Sequence, residues 1–170
     1  MIRLEPIEEL RKAAIVARTY ALHEVSLAQL SAKRTAPYGR DPTLRMQLST
    51  SAEASHKIAA DESGVSVFVE FAVSASIAAS SEPQVMVTGT FALEYARASK
   101  EANLDPSNVD AFAKINGPYN AWPYIREVVA AAFGRMGYPR LTLEPLIVNP
   151  KPSEEPPAAK KRSPPKRRQA

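Results

Sequence analysis

Trp122 to Val148 reads WPYIREVVAAAFGRMGYPRLTLEPLIV, and its two halves follow different periods. Trp122, Ile125, Val129, Ala132, Phe133 and Met136 recur at three- and four-residue steps, the spacing that lines one side of a helix. Arg126, Glu127 and Arg135 fall elsewhere on the wheel. Gly137 and Pro139 supply the stop, one by tolerating a left-handed turn and the other by refusing to continue a helix. Beyond it Leu141, Leu143 and Pro145 alternate with Thr142 and Glu144, as in a strand-like ribbon laid over another surface.

Upstream, Asp105 and Pro106 read as the N-cap and first residue of a short helix through Val109, Phe112 and Ile115. Asn116, Gly117 and Pro118 are expected to break it before the long helix begins. Before that lies the clearest strand, VSVFVEFAVSASI, with Val65, Val67, Val69, Phe71, Val73, Ala75 and Ile77 on one face and Ser66, Glu70, Ser74 and Ser76 on the other. Val85, Val87, Phe91, Leu93 and Tyr95 repeat the pattern, with Gly89 marking a bulge. Leu44, Met46 and Leu48 alternate in an earlier strand, after a crossover at residues 35–42 that holds Pro37, Tyr38, Gly39 and Pro42. Pro6 with Glu5, Glu8 and Glu9 opens an N-terminal helix to about Tyr20. The segment LHEVSLAQLSAKR that follows fits helix and strand equally well.

Composition narrows the function. Residues 151–170 hold seven Lys or Arg against two Glu, while the first 150 hold 15 basic and 16 acidic residues, so the basic isoelectric point belongs to the tail. From Asn149 onward there are six of the 15 prolines and no aromatic or β-branched residue, so residues 149–170 are expected to be a disordered tail. With no cysteine and only His23 and His56, thiolate and histidine metal clusters are excluded, and no metal or cofactor is implied. His23 with Glu24, and Glu53 with His56, have no nucleophile or metal partner placed beside them, so no catalytic residue is assigned. The acidic N-terminus is not a secretory signal, and no apolar window approaches the ~20 residues of a membrane span, which suits a cytoplasmic location.

The order of unlike residues in the opening stretch is more selective than its period. An aromatic, Pro123, Tyr124, Arg126 and Glu127, then an apolar run, Arg135, Gly137, Tyr138, Pro139, Leu141, Leu143 and Pro145, together resemble the C-terminal signature of the SecB export-chaperone family. The resemblance covers roughly residues 21–148 and is strongest from Trp122 to Pro145. It implies an α+β fold in which a four-stranded antiparallel sheet packs with the long C-terminal helix, and it makes the ambiguous segment a first strand from about His23 to Lys33. To this chaperone domain (21–148) the chain adds an N-terminal helix (1–20) and the tail. The implied activity is that of an ATP-independent holdase, assembled as a homotetramer from two dimers, that binds unfolded polypeptide in apolar grooves. Its client is either a preprotein for export or an antitoxin.

On that reading the groove draws on Val25, Leu27 and Leu30, Tyr38 in the crossover, Leu44 and Met46, and Leu143, Leu146 and Ile147 of the ribbon. Val25, Leu27, Leu44 and Met46 also read as ordinary core, whereas Tyr38 and Leu146, large residues in loop-like segments, have less reason to be buried. Trp122, Ile125, Val129 and Phe133 are expected to cover the sheet and pack subunits together. Glu24 matches an acidic family position that would face the SecA ATPase, but Ala28, Ser74, Ser76, Ala78 and Ala79 stand where further acids are expected, which argues against delivery to SecA. Pro150, Pro152, Pro156 and Pro157 oppose the helix that normally ends family members, a shortened end shared with antitoxin-guarding relatives. The alternative is a nucleic-acid or anionic-surface binder acting through KKRSPPKRR, a salt-sensitive attraction without stacking residues to make it specific.

Overall fold

The alternating valines assemble the centre of the molecule. In the computed structural model, which describes residues 1–38, 46–77, 82–99 and 105–151, they lie in β4 (Gly64–Ile77) and β5 (Val85–Arg97). Outside these run β2 (Tyr20–Arg34) and β3 (Met46–Ile58), giving an antiparallel sheet of order β2-β5-β4-β3. Val65, Val67, Val69, Phe71, Val73, Ala75, Val85, Val87, Phe91, Leu93 and Tyr95 are all buried on one face. Each such aliphatic contributes about 1.5–3 kcal/mol relative to exposure, so this row is the main stabilising feature of the domain.

Helix α2 (Pro106–Arg135) covers that face and contacts β3, β4 and β5. Asp105 caps it by accepting from the Ser107 N–H at 2.8 Å. Hydrogen bonds from the Ser107 side chain and backbone hold the Asp105 carboxyl below its ordinary value. The cap's contribution is therefore present above the usual carboxylate range and lost as pH falls through the depressed value. The expected break at residues 116–118 does not occur: α2 is one helix of 30 residues with Pro118 and Pro123 inside it. Tertiary packing overrides the local signal, because Gly117 sits directly on the sheet. A Cβ at Gly117 would stand 2.8 Å from Val67 Cγ1, 3.2 Å from Val69 Cγ2 and 3.3 Å from Ala54 Cβ. The same close seating explains why β3, read from Leu44, Met46 and Leu48, continues to Ile58 through the small inner residues Thr50, Ala52 and Ala54, of which Ala54 lies directly under Gly117.

The ambiguous segment is a strand whose spacing misleads. Leu22, Val25, Leu27 and Leu30 step by three, two and three residues, yet in register they face Tyr95, Leu93, Phe91 and Gly89. Shifts between Leu22 and Glu24, and between Leu27 and Gln29, insert His23 and Ala28 as extra residues. Each bulge returns the next apolar residue to the inner face, so a three-residue step that imitates a helix arises inside a strand. The bulge expected at Gly89 thus falls on the partner strand. Gly89 is required by close approach, since a Cβ there would lie 2.5 Å from the Gln29 carbonyl oxygen and 2.8 Å from the Phe71 ring.

Helix α1 (Ile7–Thr19) packs on α2 through Ala13 and Val16, and Tyr20 passes straight from it into β2. Two short strands went unread: β1 (Ile2–Glu5) pairs in parallel with β6 (Ile147–Pro150). Order accordingly extends past Asn149 to Lys151, whose N–H donates to the Glu5 carbonyl at 2.7 Å; the rest of the tail lies outside the described residues.

Two glycines of α2 make opposite predictions. Gly117→Ala should lower stability by about 1–3 kcal/mol through overpacking, outweighing alanine's helix advantage of about 1 kcal/mol. Gly134→Ala, whose Cβ would meet only the Arg140 side chain at 3.6 Å, should be neutral or slightly stabilising. Urea unfolding monitored by circular dichroism checks both, and a stabilising Gly117→Ala would contradict the seating of α2.

Candidate functional site: an uncovered strand face

Helix α2 lies over β3, β4 and β5 and leaves the inner face of edge strand β2 bare. Leu22, Leu27 and Leu30 are 40%, 42% and 43% exposed, and Val25 between them is half-buried. They form a continuous apolar row, since both bulges serve to keep them on one side. Next to the row, the Tyr124 ring leans on Phe91 with centroids 6.0 Å apart, and Phe91 stacks on Phe71 at 5.9 Å. At the Leu22 end a cleft of about 330 Å³ opens between β2, α2 and the chain after α2, lined by Leu22, Tyr119, Pro123, Tyr124, Pro145 and Leu146.

The walls are fixed by polar contacts to backbone. The Trp122 indole N–H donates to the Glu144 carbonyl at 2.7 Å, and the Arg126 guanidinium to the Leu143 carbonyl at 2.8 Å, tying the ribbon back along α2. At the far end, Tyr38 packs on Tyr138 with centroids 5.2 Å apart, while the Tyr138 hydroxyl donates to the Ala36 carbonyl at 2.7 Å. Arg34 donates to the Met136 carbonyl at 2.8 Å. Burial pushes the Tyr95 phenol up, partly offset by the Asn120 amide that donates to its oxygen at 2.8 Å. Burial also raises Tyr138, against the pull of Arg34. Such a trough offers apolar contact between walls whose backbone carbonyls are already engaged.

The residues singled out from sequence divide between this trough and the core. Val25, Leu27 and Leu30 line the bare face of β2, and Tyr38 closes its far end, half-buried. Met46 sits on the opposite edge strand, half-buried, and Leu44 lies outside the described residues. Leu143 and Leu146 are 4% and 6% exposed, so the expectation that Leu146 stays open fails. The ribbon is pinned to α2 and its apolar side chains join the core. Ile147, exposed, belongs to β6 against β1 instead. Trp122, Ile125, Val129 and Phe133 are buried within the single chain, where they hold α2 on the sheet. Leu22, Tyr119 and Tyr124 were missed: Leu22 opened the ambiguous segment, and both tyrosines sit off the helix's apolar stripe, where only exposure in three dimensions marks them. Glu24 lies on the outer face opposite Glu94.

A family model described as preprotein translocase subunit SecB matches residues 8–149. Among solved structures, a SecB-like chaperone from Mycobacterium tuberculosis, in complex with a ChAD peptide from the HigA1 antitoxin, aligns with a TM-score of 0.68 and 21% identity. The alignment covers 81% of this chain and 98% of that one. At this identity the likeness concerns the fold. A protein of unknown function from Streptococcus agalactiae aligns over 74% of this chain and 96% of its own with a TM-score of 0.36 and 7% identity, too far apart to bear on the argument. No curated protein sequence matches the chain.

If the β2 leucines are a surface and the ribbon leucines are core, their stability costs should separate. Leu27→Ser and Leu30→Ser should each change unfolding free energy by less than about 1 kcal/mol, whereas Leu143→Ala should cost about 2–5 kcal/mol. Denaturant titrations of the three variants measure this, and equal losses would place β2 in the core.

Proposed function

The chain belongs to the SecB family, and from that premise we propose that it is an ATP-independent holdase that keeps a client polypeptide unfolded by seating it on the bare face of β2. The observation that carries this reading is the uncovered row of Leu22, Val25, Leu27 and Leu30, an apolar surface kept continuous by two bulges. A soluble domain has no folding reason to bulge a strand twice so that its leucines face water. Client side chains buried there gain about 1.5–3 kcal/mol each, and ordering the client and losing its free motion take back several. One trough is therefore a weak site, and affinity requires several troughs acting together. We extend the proposal to a homotetramer built from two dimers, acting in the cytoplasm, which multiplies troughs and covers part of the exposed apolar surface.

The client is either a preprotein on its way to export or an antitoxin. The antitoxin branch draws support from the fold likeness to a chaperone solved with an antitoxin peptide and from Pro150, Pro152, Pro156 and Pro157, residues that oppose a terminal helix. For the export branch, SecA would meet the outer face that carries Glu24, Glu53, Glu70 and Glu94. That face holds more acids than the first strand alone suggested, because two of the four lie on central strands.

Purified protein should delay aggregation of a chemically unfolded test protein at stoichiometric amounts without ATP. Leu22→Ser/Leu27→Ser/Leu30→Ser should lose most of that protection while keeping the native circular dichroism spectrum. Light scattering reads the outcome, and undiminished protection by a folded triple variant would move the client elsewhere.

A further inference from the structure

The outer face of the sheet is ordered across its strands in a way that client binding on the bare face of β2 leaves unused. Register places Gln29, Thr90, Glu70 and Glu53 in one row across all four strands, and Ser31, Thr88, Ala72 and Ser51 in the next. The small side chains of the second row leave a hollow of about 360 Å³ beside the first, lined by Gln29, Ser51, Glu53, Glu70, Thr88 and Thr90. Glu53 and Glu70 stand directly opposite each other, and both are exposed. Among the described residues neither takes part in an ion pair. Like charges opposed across a ladder repel, so a cation between them is favoured on electrostatic grounds alone.

The donor set indicates which cation. Among the described residues no group of three or more His, Cys, Asp or Glu is placed to hold a metal ion. Two carboxylates with amide and hydroxyl oxygens around them suit a planar guanidinium, which presents several N–H donors at once, or an ammonium. The chain carries its own supply. Residues 160–168, KKRSPPKRR, hold six cationic side chains, against a slight acidic excess in the first 150 residues. The described chain ends at Lys151 in hydrogen bond with Glu5, and the 19 residues beyond it reach up to roughly 60 Å when extended, enough to round the domain.

We infer that Glu53 and Glu70 form a cation-accepting site on the outer sheet face, and that its occupant is the chain's own basic segment, residues 160–168, docked within the same molecule. Docking neutralises the opposed carboxylates and covers the outer face while leaving the β2 trough open on the other side. Because the carboxylates are exposed, salt releases the segment.

The absence of cysteine in the chain makes the test direct. Ala72→Cys, beside the carboxylates, and Ala170→Cys, at the end of the segment, supply one thiol pair in the full-length protein. Air oxidation is followed on non-reducing gels that separate intrachain from interchain products. The intrachain disulfide should form about ten times faster at about 0.01 M ionic strength, where screening extends over roughly 30 Å, than at about 1 M, where it extends over roughly 3 Å. Adding Glu53→Gln/Glu70→Gln should abolish the low-salt advantage. A rate that ignores salt, a rate that survives the glutamine pair, or a predominantly interchain product would each overturn the inference. Should the glutamine variant fail to fold, the salt comparison and the product's chain count in the parent decide.

Discussion

The seating of α2 on β3 and β4 sets the rest of the molecule. At Gly117 the helix backbone comes down onto Val67, Val69 and Ala54 with no side chain between. A helix is only about 10–12 Å across, so one that sits this low over one side of the sheet cannot also shield the far edge strand. The bare leucines of β2 follow from that contact. So does the composition of β3, where alanines and a threonine take the inner positions under the helix while β4 and β5 carry valine and phenylalanine.

The parts of this arrangement that were legible in sequence are those whose period is clean. β4 and β5 alternate without interruption because both lie in the sheet's interior and one face is fully buried, and the stripe from Trp122 to Phe133 keeps helical spacing because its whole length is enclosed. What escaped reading involves a second element that local sequence does not contain. Gly117 and Pro118 look like a break until the sheet beneath them is known. β2 looks half helical because two bulges shift its phase, and a shift of phase in one strand becomes visible only against its partner. β1 and β6 are four residues each, and neither has a reason to be a strand without the other, more than 140 residues away. At the candidate site the error took one form: loop-like segments were assumed to be open. Leu146 lies in such a segment and is buried, because the Trp122 indole and the Arg126 guanidinium hold the ribbon's carbonyls and press its leucines inward.

That clasp shapes the trough as much as the helix does. The ribbon's alternation of Leu143 with Glu144 does not serve pairing with a neighbouring strand. It sends one side chain into the core while the adjacent carbonyl meets the indole. Trp122 and Arg126 lie one turn apart on α2, so they reach successive carbonyls of an extended chain running alongside. The family-like spacing of aromatic, proline, tyrosine, arginine and glutamate then has a mechanical content: Trp122 and Arg126 hold the ribbon, and together with Pro123 and Tyr124 they line the cleft at the Leu22 end.

Exposure of leucine on an edge strand carries an aggregation risk, because a bare edge invites pairing with other strands. Three features of β2 moderate it. The bulges at His23 and Ala28 interrupt the ladder so that no long flat run of backbone is offered. The outer positions beside the leucines are Glu24, Ser26, Gln29, Ser31 and Lys33, so only one face is apolar. And the row ends at Arg34, whose guanidinium is tied to the Met136 carbonyl, which closes the trough with a fixed charge. The same bulges thus do two things at once: they gather the leucines onto one face, and they spoil the edge for indiscriminate strand addition. On the proposed holdase reading, binding by side-chain burial is kept while uncontrolled growth of the sheet is opposed.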